Sequence, residues 1–211
     1  MLPSLSSTLT RTRPARRRGR ALAGFTLIEL MVIVTIVMII AALAAPGMMR
    51  GMAINRAQRG VGQLARIGRR ARSEAVVYGR AYVLRYVGPA TAGRYELWRG
   101  LNDGCRTNPW TTIISAGGCD ANDPDCADVF DAAQFSSSAH RIAIVAPTPD
   151  LCFQPNGDMF TGNARARSFN IANAAVRVQL DRFDGGVAGG ATPVESRWVV
   201  FPPLAAPRVV M

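Results

Sequence analysis

Glu29 is the one ionisable side chain in an apolar run of 21 residues, Phe25 to Ala45. A carboxylate at the centre of a membrane-crossing helix costs about 2.5 kcal/mol or more, so such a residue is normally retained for a task. Gly24 and Phe25 stand just ahead of it. Four cysteines follow far downstream, Cys105, Cys119, Cys126 and Cys152. They could close in any of three connectivities. A local loop staple, Cys119–Cys126 or Cys105–Cys119, is the expected form. Asp120, Asn122, Asp123, Asp125 and Asp128 bring together oxygens of the kind Ca²⁺ takes. Their order does not follow an EF-hand loop and Pro124 interrupts them, so a solvated loop and no metal is the expectation. His140 is the only histidine. No nucleophile elbow and no histidine-based metal cluster can be built around it, which points away from an enzyme and from any cofactor. Gly60-x-Gly62-x-x-Ala65 has the spacing of a dinucleotide fingerprint. It lies within a helical pattern and follows no strand, so it is set aside.

The elements that must position these residues read clearly. At a rise of about 1.5 Å per residue the apolar run would reach roughly 31 Å as a helix, enough to cross a bilayer core. Residues 1–24 form a basic leader with six arginines and no acid. Setting these aside from the net charge of +11 leaves +5 for the rest of the chain. All 25 basic residues are arginine, as a GC-rich genome would produce. The arginine cluster before the run predicts a cytoplasmic leader and a far-side C-terminal domain, where disulfides persist.

Residues 46–79 continue the helix despite Pro46-Gly47, where a kink is favoured. Ile54, Ala57, Val61, Leu64, Gly68, Ala71, Ala75 and Tyr78 step by three and four along one narrow face of small residues. That face suits close packing on a sheet. Glu74 is expected to pair with Arg70 one turn back. From residue 80 to 211 the pattern becomes that of strands: 82–87, 94–99, 111–115, 141–146, 151–154, 158–160, 176–181 and 197–201. Pro155-Asn156-Gly157 marks a tight hairpin. Residues 100–138 and 184–193 read as loops. The fold class is α+β: a long N-terminal helix, membrane-spanning in its first half, packed on an antiparallel β-sheet domain.

Gly24-Phe25-Thr26-Leu27-Ile28-Glu29-Leu30 followed by apolar residues resembles the type IV prepilin signature. The resemblance implies cleavage between Gly24 and Phe25 by a prepilin peptidase and N-methylation of Phe25. It also implies assembly with other pilins into a filament through the N-terminal helices. Pro46 falls where many pilins carry a helix-breaking proline. Ala71-Arg72-Ser73-Glu74-Ala75 before Gly79-Arg80, and Phe153-Gln154-Pro155-Asn156-Gly157-Asp158 before Gly162, resemble stretches of GspH/FimT-type minor pilins and pseudopilins. The leader is longer and more arginine-rich than in many such proteins, and the loop 100–138 is longer and richer in cysteine.

The function implied is that of a structural subunit helping to assemble or cap a type IV pilus or a type II secretion pseudopilus. The precursor would sit in the inner membrane, in contact with its lipid, with a periplasmic domain. In the filament, Glu29 would neutralise the Phe25 amine of a neighbouring subunit. The alternative is a pilus-associated subunit that binds nucleic acid for DNA uptake, with Arg165 and Arg167 as its anion contacts.

Overall fold

The computed structural model describes residues 25–88, 93–114, 118–120, 122–137, 140–145, 149–184 and 192–210. The leader, with Gly24 and the six arginines, lies outside the described residues, as do most of the expected 184–193 loop and the Pro89 turn. The chain divides into two compact units, 1–46 and 47–211. Helix α1, Leu27–Tyr78, runs through both.

In the second unit ten strands follow α1. They are β1 (Tyr82–Val87), β2 (Arg94–Arg99), β3 (Cys126–Asp131), β4 (His140–Ile144), β5 (Asp150–Phe153), β6 (Met159–Asn163), β7 (Ser168–Ile171), β8 (Val176–Asp184), β9 (Glu195–Phe201) and β10 (Arg208–Val210). They form two antiparallel sheets, one ordered β3-β2-β1-β5-β6-β7 and the other β10-β9-β8-β4. The protein is thus α+β with a pilin-like arrangement.

The core lies where the second half of α1 meets both sheets. Ala57, Val61, Leu64, Ala71 and Ala75 are buried against Tyr82, Leu84, Leu97 and Phe153 of the first sheet and Ile144, Val178, Leu180 and Phe201 of the second. The predicted stripe holds in its middle and fails at its ends. Ile54 and Tyr78 are exposed, whereas Ala53, Ala65 and Ile67 are buried in addition. The small residues matter for reach. A Cβ at Gly68 would stand only 2.4 Å from Cε1 of Phe201, so the ring packs where a side chain would otherwise be.

The other face of the first sheet carries a second core. Val83, Trp98, Phe160 and Phe169 are covered by the segment 101–114 through Cys105, Trp110 and Ile113. Residues 111–115, read as a strand from their β-branched side chains, begin with the short helix α2, Trp110–Ile113, whose Thr112 and Ile113 N–H groups donate to the Pro109 carbonyl. The indole Nε1 of Trp110 donates to the Cys105 carbonyl at 2.7 Å and fixes this turn beneath the sheet. The expected loop 100–138 also contains β3 and a 3₁₀ turn, Ala132–Phe135. The edge strands β7 and β10 were likewise not anticipated.

Candidate functional site

The N-terminal unit presents the apolar run without cover. Its most apolar window has none of its residues buried, and α1 is long and apolar enough to cross a membrane. The residues that begin the helix do so for a local reason. Thr26 Oγ1 accepts a hydrogen bond from the Glu29 N–H at 3.3 Å, and the Thr26 carbonyl accepts from Leu30 N–H at 3.2 Å. Thr-x-x-Glu is the sequence of a capping box, with the hydroxyl satisfying one of the free N–H groups of the first turn. Glu29 therefore sits in the first turn, where a carboxylate is favoured by the helix dipole. Phe25 is exposed immediately before it. This places an acid and the exposed Phe25 at the same end of one helix.

The Ala71–Ala75 stretch serves the β-domain. Ala71 and Ala75 are fully buried and let the helix approach the sheets. Arg72 between them reaches the C-terminal segment, donating to the carbonyls of Pro202 at 3.0 Å, Pro203 at 2.8 Å and Ala205. Its guanidinium also lies 5.6 Å from the centroid of the Phe153 ring. Burial holds its pKa below the ordinary value. Ser73 Oγ donates to the Arg70 carbonyl at 3.0 Å. The expected Arg70–Glu74 pair forms at 2.6 Å, and Arg70 extends the link to Asp128 of β3 at 2.9 Å. The Glu74 hydrogen bond is the largest of the influences that raise the Arg70 pKa.

The hairpin between β5 and β6 closes as its sequence predicts. Gly157 has φ +92°, a conformation that favours glycine, and its N–H donates to the Gln154 carbonyl at 3.0 Å. Asn156 Oδ1 accepts from the Asp158 N–H at 3.0 Å. Cys119 bonds to Cys126, a separation of 7 residues, which is the local staple. Cys105 does not pair with Cys119. It joins Cys152 of β5, 47 residues away, because the 101–114 segment folds over the face of the first sheet that carries Cys152.

The acidic loop spends its carboxylates on backbone N–H groups: Asp120 on Asn122, Asp123 on Asp125, and Asp128 on Val129. Among the described residues no group of three or more His, Cys, Asp or Glu is arranged to hold a metal. His140 starts the edge strand β4, with Nδ1 2.8 Å from Asp184 Oδ1. Arg165 and Arg167 have different surroundings. Arg165 lines a pocket with Arg85, while Arg167 donates to Thr111 Oγ1 at 3.2 Å.

A buried polar group on the first sheet was missed. Glu96 is completely buried, ion-paired with Arg94 at 2.8 Å and accepting from Trp98 Nε1 at 3.0 Å and Cys119 N–H at 3.1 Å. Arg85 stands opposite Glu96 in the β1–β2 register. Asp150 is also buried, and burial pushes its carboxyl above the ordinary aspartate range. The signal available was the opposite charge on two alternating strands joined by a glycine-bounded turn.

A solvent-facing apolar helix whose continuation is seated on antiparallel sheets defines a pilin-like protein. Residues 60–186 match the family described as type II transport protein GspH, and residues 20–45 match the prokaryotic N-terminal methylation motif. The chain belongs to the GspH family, as a minor pilin or pseudopilin of the type IV pilin-like class. Neither the curated proteins nor the solved structures give a significant match. The methylation motif implies processing by a prepilin peptidase and assembly with other pilins. Such families are structural subunits, anchored in a membrane by the apolar helix and found in a pilus or pseudopilus.

Proposed function

We propose that this chain is cleaved between Gly24 and Phe25, methylated on Phe25, and built into a type IV pilus or type II secretion pseudopilus as an assembling or capping subunit. The observation that carries the reading is the uncovered apolar helix with Glu29 in its first turn. A helix so apolar needs lipid before assembly and the helices of other subunits afterwards. The precursor spans the inner membrane with its leader in the cytoplasm, and the disulfide-bonded domain lies in the periplasm.

Cleavage converts Phe25 into a cationic amine. An unpaired carboxylate in a dry helix bundle is expensive, so subunits dock in the register that brings Glu29 of one to the amine of another. Small residues Ala41, Ala42, Ala44 and Ala45 allow helices to approach closely. Pro46 weakens the helix where the anchoring segment gives way to the part seated on the sheets. The nucleic-acid alternative has less behind it, because Arg165 and Arg167 have separate neighbours.

Glu29→Ala tests the docking. The variant is expected to be cleaved normally and to be largely missing from sheared filaments or cross-linked pseudopilus complexes. Incorporation at the wild-type level would show that the amine–carboxylate pair does not set the register.

A further inference from the structure

A pocket of about 530 Å³ opens where β1 projects past the end of β5, roofed by the turn after β6. Arg85, Asp150, Asn163 and Arg165 contribute to its lining. The Arg85 side chain is only 11% exposed. A buried guanidinium normally has its donors matched. Here the nearest carboxylate, Glu96, is 3.8 Å away, too far for a hydrogen bond. The Glu96 oxygens are already taken by Arg94, Trp98 and Cys119. Among the described residues no group accepts a hydrogen bond from Arg85.

Asp150 does not fill the gap either. Its Oδ1 accepts from the Tyr86 N–H at 3.1 Å and its Oδ2 from the Ala164 N–H at 2.7 Å, so it fixes the pocket wall. Burial lowers the Arg85 pKa, and the nearby charge of Arg165 lowers it further. Arg85, Arg94 and Arg165 thus face two carboxylates, Asp150 and Glu96, leaving one positive charge in excess.

We propose that this pocket binds a carboxylate group, held between Arg85 and Arg165. The planar fork of a guanidinium matches a carboxylate with two parallel hydrogen bonds. One negative charge balances the excess, whereas a phosphate dianion would set a second charge beside Asp150 and Glu96. The carboxylate belongs either to a small organic acid or to an Asp or Glu side chain on a neighbouring protein.

The test is a titration of the full-length mature protein in detergent micelles, followed by NMR of the arginine Nε–H groups. The probes are propionate, a terminally blocked Gly-Glu-Gly peptide, phosphate and chloride, at matched ionic strength. A saturable shift of the Arg85 signal with a carboxylate is expected, about tenfold weaker in Arg165→Gln. Arg165 lies in an exposed turn, and unchanged signals from the other arginines report that the variant is folded. Tighter binding of the peptide supports the pocket with a protein side chain as source, and tighter binding of propionate supports it with a small acid. A shift that chloride reproduces, no saturation, or tighter binding of phosphate than of either carboxylate overturns the proposal.

Discussion

Gly68→Ala sets packing against helix propensity, and the structure says which wins. In an exposed helix interior, replacing glycine by alanine gains about 1 kcal/mol. At Gly68 the new Cβ would lie 2.4 Å from Cε1 of Phe201 and 3.2 Å from both Cδ1 of Phe201 and Cγ of Pro207. Carbon atoms are comfortable at about 3.5–4.0 Å, so the ring or the helix must yield by roughly 1 Å. Phe201 is fully buried and belongs to the core shared with α1, which leaves little room to give. Overpacking of this kind costs about 1–3 kcal/mol, and the upper part of that range applies. The net expectation is a loss of about 1–2 kcal/mol. Gly62 supplies the control, because nothing lies within 4 Å of a Cβ built there. Gly62→Ala is expected to gain about 0.5–1 kcal/mol. Urea titration of the mature protein in micelles, read by tryptophan fluorescence, measures both. Equal stability of the two variants, or Gly68→Ala the more stable, would refute the account of how α1 sits on the second sheet.

The paired replacement Cys105→Ser/Cys152→Ser should lower stability by about 2–5 kcal/mol and leave the Cys119–Cys126 loop oxidised, which denaturation and thiol alkylation will report. Asp150 gives a pH signature. Its folded-state pKa is raised, chiefly by burial, so its contribution favours the folded state most below the unfolded aspartate pKa and is lost as pH rises through the folded value. Wild type should therefore gain stability relative to Asp150→Asn on acidification, and a difference that is constant or opposite in sign across the titration would contradict this.

The sequence disclosed most where one local rule decides the outcome. The hairpin at Pro155–Gly157 depends on residues within the turn, and the helix depends on its apolar period. The burial stripe was legible only while α1 lies over the sheets, since Ile54 and Tyr78 obey the period and remain exposed. β3 was hidden because its acidic residues look like loop. Asp128 is satisfied by Arg70 on the helix, a contact 58 residues away in sequence. Thr111 and Thr112 carry β-branched side chains, yet Pro109 and the anchored Trp110 impose a helical turn. Along β1, Arg85 shares the face of Val83, opposite Tyr82 and Leu84. Only the packing of the 101–114 segment and the second disulfide turns that side into a second interior, and neither is local. The proposed processing residues are a different case. Under the proposed function Gly24 and Glu29 act through a peptidase and neighbouring subunits, so their spacing is legible without any tertiary contact.

The most direct measurement is the N-terminus of the protein recovered from membranes of cells that contain a prepilin peptidase. Mass spectrometry of the N-terminal peptide should find N-methylated Phe25 as the first residue, and Gly24→Leu should retain the leader. A mature chain that begins elsewhere, or unaltered processing of Gly24→Leu, would contradict the reading of this protein as a cleaved and assembled pseudopilin.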